Sequence, residues 1–277
     1  MDRIDMHVHT TCSDGTMSPR DVVSLATMKG LKAIAITDHD TMAGIPEAGE
    51  TAALMGISVV PGIEISADYQ GREVHVLGYF LDPEAEKLRA YTQWVRDSRR
   101  RRNQAMVERL QKKGFDITLE ALEEANPGAV LGRPHMARRL MELGAVSSVK
   151  EAFRRYLDRG RSCYVPREYI PFPEAVRLIR DCGGAAVLAH PLQYGFPKTE
   201  LDAFVKTAAD LKVSGMEILY PGYSQKDISK LYDLAEKNLL LPTGGSDFHG
   251  DSKPDNPLGE PPVPAYMLLM LASSQYQ

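Results

Sequence analysis

Residues 3–40 read RIDMHVHTTCSDGTMSPRDVVSLATMKGLKAIAITDHD. Two short apolar runs, residues 4–8 and 33–37, flank a segment with helix punctuation at both ends. Ser18 is a natural N-cap, Pro19 suits the first helical position, and Asp21 places an acid in the first turn. Gly30 supplies the left-handed residue that ends the helix. The runs are rich in Ile and lack full polar alternation, as strands buried on both faces do. A strand, a helix and a second strand with this spacing form one turn of a parallel α/β fold.

The unit recurs. Further strand-like runs occupy residues 57–65, 73–81, 185–189, Gly215–Leu219 and 239–243. Helical stretches fall at 46–55, 173–182, 200–212 and 225–238, the last capped by Ser224 with Asp227 three places on. Repeated strand–helix units imply a largely parallel sheet, and seven strands can close into a barrel. An open doubly wound sheet gives a similar pattern, and in both the functional groups gather at the C-terminal ends of strands. The order breaks between residues 84 and 162, where the pattern is helical without strands. A long helix is expected over 83–113, another from Arg133-Pro134, and a third after Ser148. The expected organisation is a barrel over 1–97 and 163–277 with a helical cap insertion over 98–162. The five prolines after Asp251 mark an irregular tail.

Composition excludes several classes. The chain has 277 residues, 43% hydrophobic and 25% charged, which excludes a disordered polymer. Cys12, Cys163 and Cys182 are far apart, so neither a disulfide framework nor a cysteine zinc site is expected, and a cytoplasmic location fits. The first residues carry no signal-peptide pattern, and no stretch has the apolar length of a transmembrane helix. Charge is uneven: residues 96–167 hold 17 Lys and Arg against 9 Asp and Glu, while the rest of the chain is acidic. Such a division suits cation binding in one part and anion binding in the other, or two solvated surfaces of opposite bias.

The chemistry lies in the histidines and acids. His7 and His9 form His-x-His, which on a strand sends both imidazoles to one face. Asp14 follows. The second strand ends in Thr37-Asp38-His39-Asp40, the third runs into Gly62-Ile63-Glu64, and the fourth contains His75. The fifth ends in Ala189-His190-Pro191 and the last in Ser246-Asp247-Phe248-His249. Singly, His75 reads as a core residue, Asp14 as a turn former, Glu64 as the partner of an arginine and Asp38 as a cap. Jointly they place a carboxylate–imidazole cluster where strand ends converge, and divalent cations relieve the cost of desolvating such a cluster. Nitrogen and oxygen donors without thiolate fit zinc, manganese or iron.

With these motifs in this order, the sequence resembles the PHP (polymerase and histidinol phosphatase) metal-dependent phosphoesterases, over nearly the whole chain outside the insertion. The resemblance implies a distorted (βα)7 barrel and two or three divalent metal ions (Mn, Zn or Fe). It implies one metal on His7, His9, Glu64 and Asp247, a second on Asp14, His39 and His249, and a third on Glu64, His75 and His190. Glu64 would bridge. Asp38 and Asp40 are expected to orient the ligands. His190 or His249 serving as an acid–base group instead is an alternative.

In Gly132-Arg133-Pro134-His135 the bland reading is a helix start with a solvated arginine. The functional reading puts Arg133 and His135 on a substrate phosphate, and chains with such an insertion resemble nucleoside 3′,5′-bisphosphate phosphatases and 5′→3′ oligoribonucleases. Arg99–Arg102 point around a whole helix and are expected to be mostly solvated. The expected chemistry is hydrolysis of a nucleotide phosphomonoester by a hydroxide that bridging metals generate at neutral pH, with Arg133 and His135 at the phosphate. A nucleoside 3′,5′-bisphosphate is the first choice of substrate. Short 5′-phosphorylated RNA and histidinol phosphate are alternatives, and a non-catalytic nucleic-acid-binding module is the rival class. Neither a membrane nor an obligate protein partner is indicated.

Overall fold

A computed structural model describes residues 2–128 and 131–274. In chain order the elements are β1 (Arg3–Val8), α1 (Pro19–Met28), β2 (Ala33–Ile36), α2 (Ile45–Met55), β3 (Ser58–Tyr69), β4 (Arg72–Tyr79), α3 (Glu86–Gln111), α4 (Leu119–Ala125), α5 (Arg133–Glu142), α6 (Val149–Ala152), β5 (Ile170–Pro171), α7 (Phe172–Asp181), β6 (Ala185–Leu188), α8 (Lys198–Asp210), β7 (Gly215–Leu219), α9 (Gln225–Lys237), β8 (Leu241–Gly244), β9 (Val263–Pro264) and α10 (Ala265–Ser273). The chain divides into two compact units, Met1–Arg89 with Tyr169–Gln277, and Ala90–Glu168.

The larger unit is a nearly closed barrel-shaped sheet. Among the described residues it has nine strands, in the order β8-β7-β6-β4-β3-β2-β1-β9, with β5 on β3. Its edges approach where β1 meets the chain after β8: Val8 bridges Phe248 in parallel sense, and the His9 amide donates to Phe248 O at 2.9 Å. Gly245 permits this approach, since a Cβ there would lie 2.4 Å from His7 Cβ. β2 and β6 are buried along their whole length, which explains their lack of polar alternation. Local caps act as the sequence indicates. Ser18 Oγ accepts the Asp21 amide at 3.1 Å, and Gly56 ends α2 at φ 70°.

Two features differ from the sequence reading. β4 runs antiparallel to both β3 and β6, so the sheet is mixed. Gln70 and Gly71, at φ 54° and 79°, form the two-residue turn whose twist suits a hairpin. The tail is not irregular throughout. Residues 265–273 form α10, because every proline of the tail precedes its first turn, and Met267 and Leu271 pack into the barrel core with Ile4, Met6 and Val263. β5 and β9 are two-residue strands, too short to leave an apolar run.

The smaller unit is helical, around Met106, Leu110, Leu122, Met136, Leu140 and Leu157. Its basic run is not uniformly solvated. Arg100 and Arg101 are exposed, but Arg102 is buried and donates from Nε to Val165 O at 3.0 Å.

Asp5 ties the barrel together beneath the strand ends. Its Oδ1 accepts the amides of His7 and Ser246 at 3.2 and 2.9 Å, and Oδ2 accepts the Gly259 amide at 2.8 Å. Burial pushes its carboxyl above the usual range despite these bonds. Asp5→Ala leaves three buried N–H groups unpaired, each costing about 1–3 kcal/mol. Urea unfolding of the variant should show a loss of about 3 kcal/mol or more, whereas a loss within error would contradict this account of the barrel floor.

Candidate metal centre

Strand ends bring the predicted residues to one place. His7 lies in β1 and His9 just beyond it. His39 follows β2 and bridges Glu64 of β3, and His75 lies in β4. His190 follows β6, and Asp247 and His249 follow β8. Asp14 arrives on the turn after β1, where Ser13 N–H donates to Thr10 O and Gly15 packs against His9 O. Two of these residues sit in left-handed backbone that L side chains rarely adopt, His190 at φ 22° and Asp247 at φ 50°. Strain of this kind persists only where the surroundings fix it, and it concentrates at functional sites.

Among the described residues three groups could each hold a metal ion: His7, His9, Glu64 and Asp247; His9, Asp14, His39 and His249; and His39, Glu64 and His75. The first has the composition inferred from the sequence. The second adds His9 to its expected members. In the third, His39 stands with Glu64 and His75, while His190 Nε2 lies beside the same carboxylate, 3.0 Å from Glu64 Oε1.

Glu64 is fully buried at the centre. Its Oε2 is 3.4 Å from His7 Nε2, 3.2 Å from His9 Nε2 and 3.0 Å from His39 Nδ1, and its Oε1 is 2.9 Å from His75 Nδ1. Asp247 Oδ1 approaches His7 Nε2 and His9 Nε2 at 3.5 and 3.4 Å, and Asp14 Oδ1 is 3.1 Å from His249 Nε2. Glu64 Oε2, His39 Nδ1 and His249 Nε2 are buried, yet none has a hydrogen bond of acceptable geometry. Close donor atoms whose lone pairs converge without hydrogen bonding fit a shared cation.

The electrostatics agree. Burial alone would raise the Glu64 carboxyl, but the imidazoles of His39, His75 and His7 outweigh it and hold it well below the usual range. For Asp14, burial is likewise outweighed, by His249 and His39, and for Asp247 by Lys253, His249 and His7. Burial lowers His75, but Glu64 and Glu73 outweigh it and lift the imidazole to about 10. Burial keeps His190 below its ordinary value, hence neutral and fit to ligate.

Around this set lie groups that orient it. Asp38 accepts from Thr10 N, Thr10 Oγ1 and Ser13 Oγ at 2.7, 2.7 and 2.6 Å, and Ser13 Oγ is 3.5 Å from His9 Nδ1. Asp40 instead accepts from Ser66, at its amide (3.0 Å) and its hydroxyl (3.2 Å), and so fixes backbone beyond Glu64. Three contributors escaped the sequence reading. Tyr220 and Lys253 each donate to Asp247 Oδ2 at 2.7 Å, leaving Oδ1 for the histidines. Glu217 of β7 is buried against His7 Nδ1 at 3.1 Å. Tyr220 and Lys253 follow no motif, but an acid in the apolar run Gly215–Leu219 was a usable signal.

In the smaller unit, the Arg133 guanidinium stands over the rings of Phe153 and Tyr164 at 5.5 and 5.8 Å. His135 is buried at the start of α5, where its Nδ1 accepts the Gly132 amide at 3.1 Å.

Comparison with known proteins gives the class. The chain belongs to the PHP domain family, whose pattern matches residues 5–160. It is a metal-dependent phosphoesterase, a hydrolase of phosphoric ester bonds. It is 34% identical to the 5′-3′ exoribonuclease of Haemophilus influenzae over 89% of this chain and 90% of that one. It is 31% identical to the 3′,5′-nucleoside bisphosphate phosphatase of Chromobacterium violaceum over 95% of this chain and 94% of that one. A solved structure from Bifidobacterium adolescentis, assigned as a metal-dependent phosphoesterase, superposes with a TM-score of 0.88 at 32% identity, covering 98% of this chain and 96% of that one. No helix among the described residues is long and apolar enough to cross a membrane.

The raised His75 value sets a pH dependence for the metal-free protein. A group whose folded value exceeds its unfolded one contributes stability that is complete below the unfolded value and fades as pH rises through the folded one. The gap in melting temperature between wild type and His75→Gln, both in chelator, should be widest below about pH 6.5 and close as pH rises through about 10. A gap that does not change with pH would contradict the His75–Glu64 pairing.

Proposed function

We propose that this phosphoesterase hydrolyses a nucleotide phosphomonoester, with the 3′-phosphate of a nucleoside 3′,5′-bisphosphate as its first substrate. The observation that carries the reading is the convergence of three cation-competent groups, two of them sharing the buried Glu64 carboxylate. The bisphosphate phosphatase relative, similar across nearly the whole chain, supports the substrate. The exoribonuclease relative supports a second reading, removal of nucleotides from the 5′ end of short RNA.

In this reading His7, His9, Glu64 and Asp247 hold one divalent ion, Asp14, His39 and His249 a second, and Glu64, His75 and His190 a third. Bound there, such ions supply Lewis acidity toward phosphoryl oxygen and water at neutral pH. The chain's residues do the rest. Glu64 and Asp247 supply negative charge that keeps cations in a desolvated site, and the imidazoles, which give up their protons when a cation binds, then offer lone pairs without adding charge. Tyr220 and Lys253 hold Asp247 in a single orientation. Arg133 binds a phosphate of the substrate through its fork of N–H donors. His135, whose Nδ1 accepts the Gly132 amide, binds a phosphate of the substrate or the leaving oxygen.

The test is phosphate release from 3′-phosphoadenosine 5′-phosphate by protein reconstituted with manganese, beside a 5′-phosphorylated trinucleotide and histidinol phosphate. The bisphosphate should be turned over fastest. His9→Ala should lose at least about a hundredfold in kcat, whereas Arg133→Ala should raise KM with a smaller effect on kcat, as loss of binding shared by ground and transition states does. Faster turnover of the trinucleotide would replace the substrate, and preference for histidinol phosphate would overturn the nucleotide reading. His190→Ala and His249→Ala should lose both turnover and bound metal. Loss of turnover with full metal content would make either an acid–base group instead.

A further inference from the structure

We infer that Glu217 is a positioning residue that sets two metal-binding histidines at once, His7 through its ring and His190 through its backbone. The inference rests on the metal-binding reading above and deepens it.

Glu217 is 1% exposed, in the middle of β7. Its Oε1 and Oε2 lie 3.1 and 3.3 Å from His7 Nδ1. An ionised carboxylate only accepts, so the proton of a neutral His7 ring is fixed on Nδ1 and the Nε2 lone pair is left for a ligand. That Nε2 is the atom that lies 3.1 Å from His9 Nε2, 3.4 Å from Glu64 Oε2 and 3.5 Å from Asp247 Oδ1. The same carboxylate works on His190. Its Oε2 accepts the His190 amide at 2.8 Å and so anchors a residue held at φ 22°, ψ 62°. With the backbone fixed there, His190 Nε2 lies 3.0 Å from Glu64 Oε1, and its ring stacks on His7 at 5.5 Å between centroids.

Asp38, Tyr220 and Lys253 each serve a single ligand. Asp38 reaches His9 through Ser13, and Tyr220 and Lys253 reach Asp247. Glu217 touches ligands on both sides of Glu64, one facing Oε2 and the other Oε1. It therefore couples the affinities of two cations, which neither a merely structural strand residue nor a single-ligand partner would do.

Glu217→Gln keeps the size of the side chain but replaces one acceptor oxygen with a donor amide, which either releases the His190 amide or reverses the His7 tautomer. Chelator competition with zinc and with manganese should show two cations weakened together, each by about ten- to hundredfold, the usual cost of losing such a partner. Tyr220→Phe should weaken one. Unchanged affinities in Glu217→Gln, or the loss of one cation alone, would overturn the inference. Nitrogen-15 NMR of zinc-loaded wild type gives a test that needs no variant to fold: His7 should carry its proton on Nδ1 and zinc on Nε2, and the reverse assignment would overturn the role. Wild-type protein that binds no cation would overturn this inference and the metal-binding reading together. Wild type that binds cations but releases no phosphate from the bisphosphate would overturn the substrate alone.

Discussion

A carboxylate with no exposed surface stays ionised only if positive charge, cations or hydrogen-bond donors surround it, and around Glu64 that role falls to imidazoles. Nitrogens of His7, His9, His39, His75 and His190 lie within 3.4 Å of its two oxygens. Those histidines come from β1, β4 and the segments after β1, β2 and β6, so the barrel must bring distant parts of the chain to one atom pair. Much of the local irregularity serves that requirement. His190 and Asp247 occupy left-handed backbone, and Gly245 lets the segment after β8 lie against His7 closely enough for Asp247 to reach the cluster.

The reversal of β4 belongs to the same requirement. Across the β3–β4 hairpin Ser66 pairs with His75 and Glu64 with Leu77. His75 is thus the diagonal neighbour of Glu64 on the same face, within reach of a long side chain. The hairpin adds a histidine to the carboxylate from a neighbouring strand, without a crossover helix. Beyond these residues, Asp5 fastens the amides of His7, Ser246 and Gly259, tying β1, the segment after β8 and the tail beneath the site.

How legible this was follows from the range of each signal. β2 and β6 are apolar and fully buried and the other barrel strands are rich in Ile, Val and Leu, so composition marks them, and the His-x-His pair and the acids at strand ends sit at fixed offsets from those runs. The direction of β4 was not read, although Gln70-Gly71 is a local turn signal, because an alternating strand–helix pattern elsewhere favoured parallel pairing. α10 was obscured by the prolines that precede it. Arg102 is buried where a run of four arginines suggests solvation, since one face of α3 must pack even when its residues are charged. Glu217 leaves one signal, an acid in an apolar run, while Tyr220 and Lys253 belong to no motif. The partners of all three depend on which atoms lie within 3.3 Å, and tertiary structure alone shows those.

The proposed function requires the Glu64 carboxylate to organise a multinuclear cation site. Its most direct test is a metal count by elemental analysis after equilibrium dialysis against manganese or zinc, on wild type and on Glu64→Gln. Wild type should bind two or three ions per chain, and more than one of them should be lost when a single carboxylate becomes an amide. One ion or none in wild type, or an unchanged count in Glu64→Gln, would contradict it.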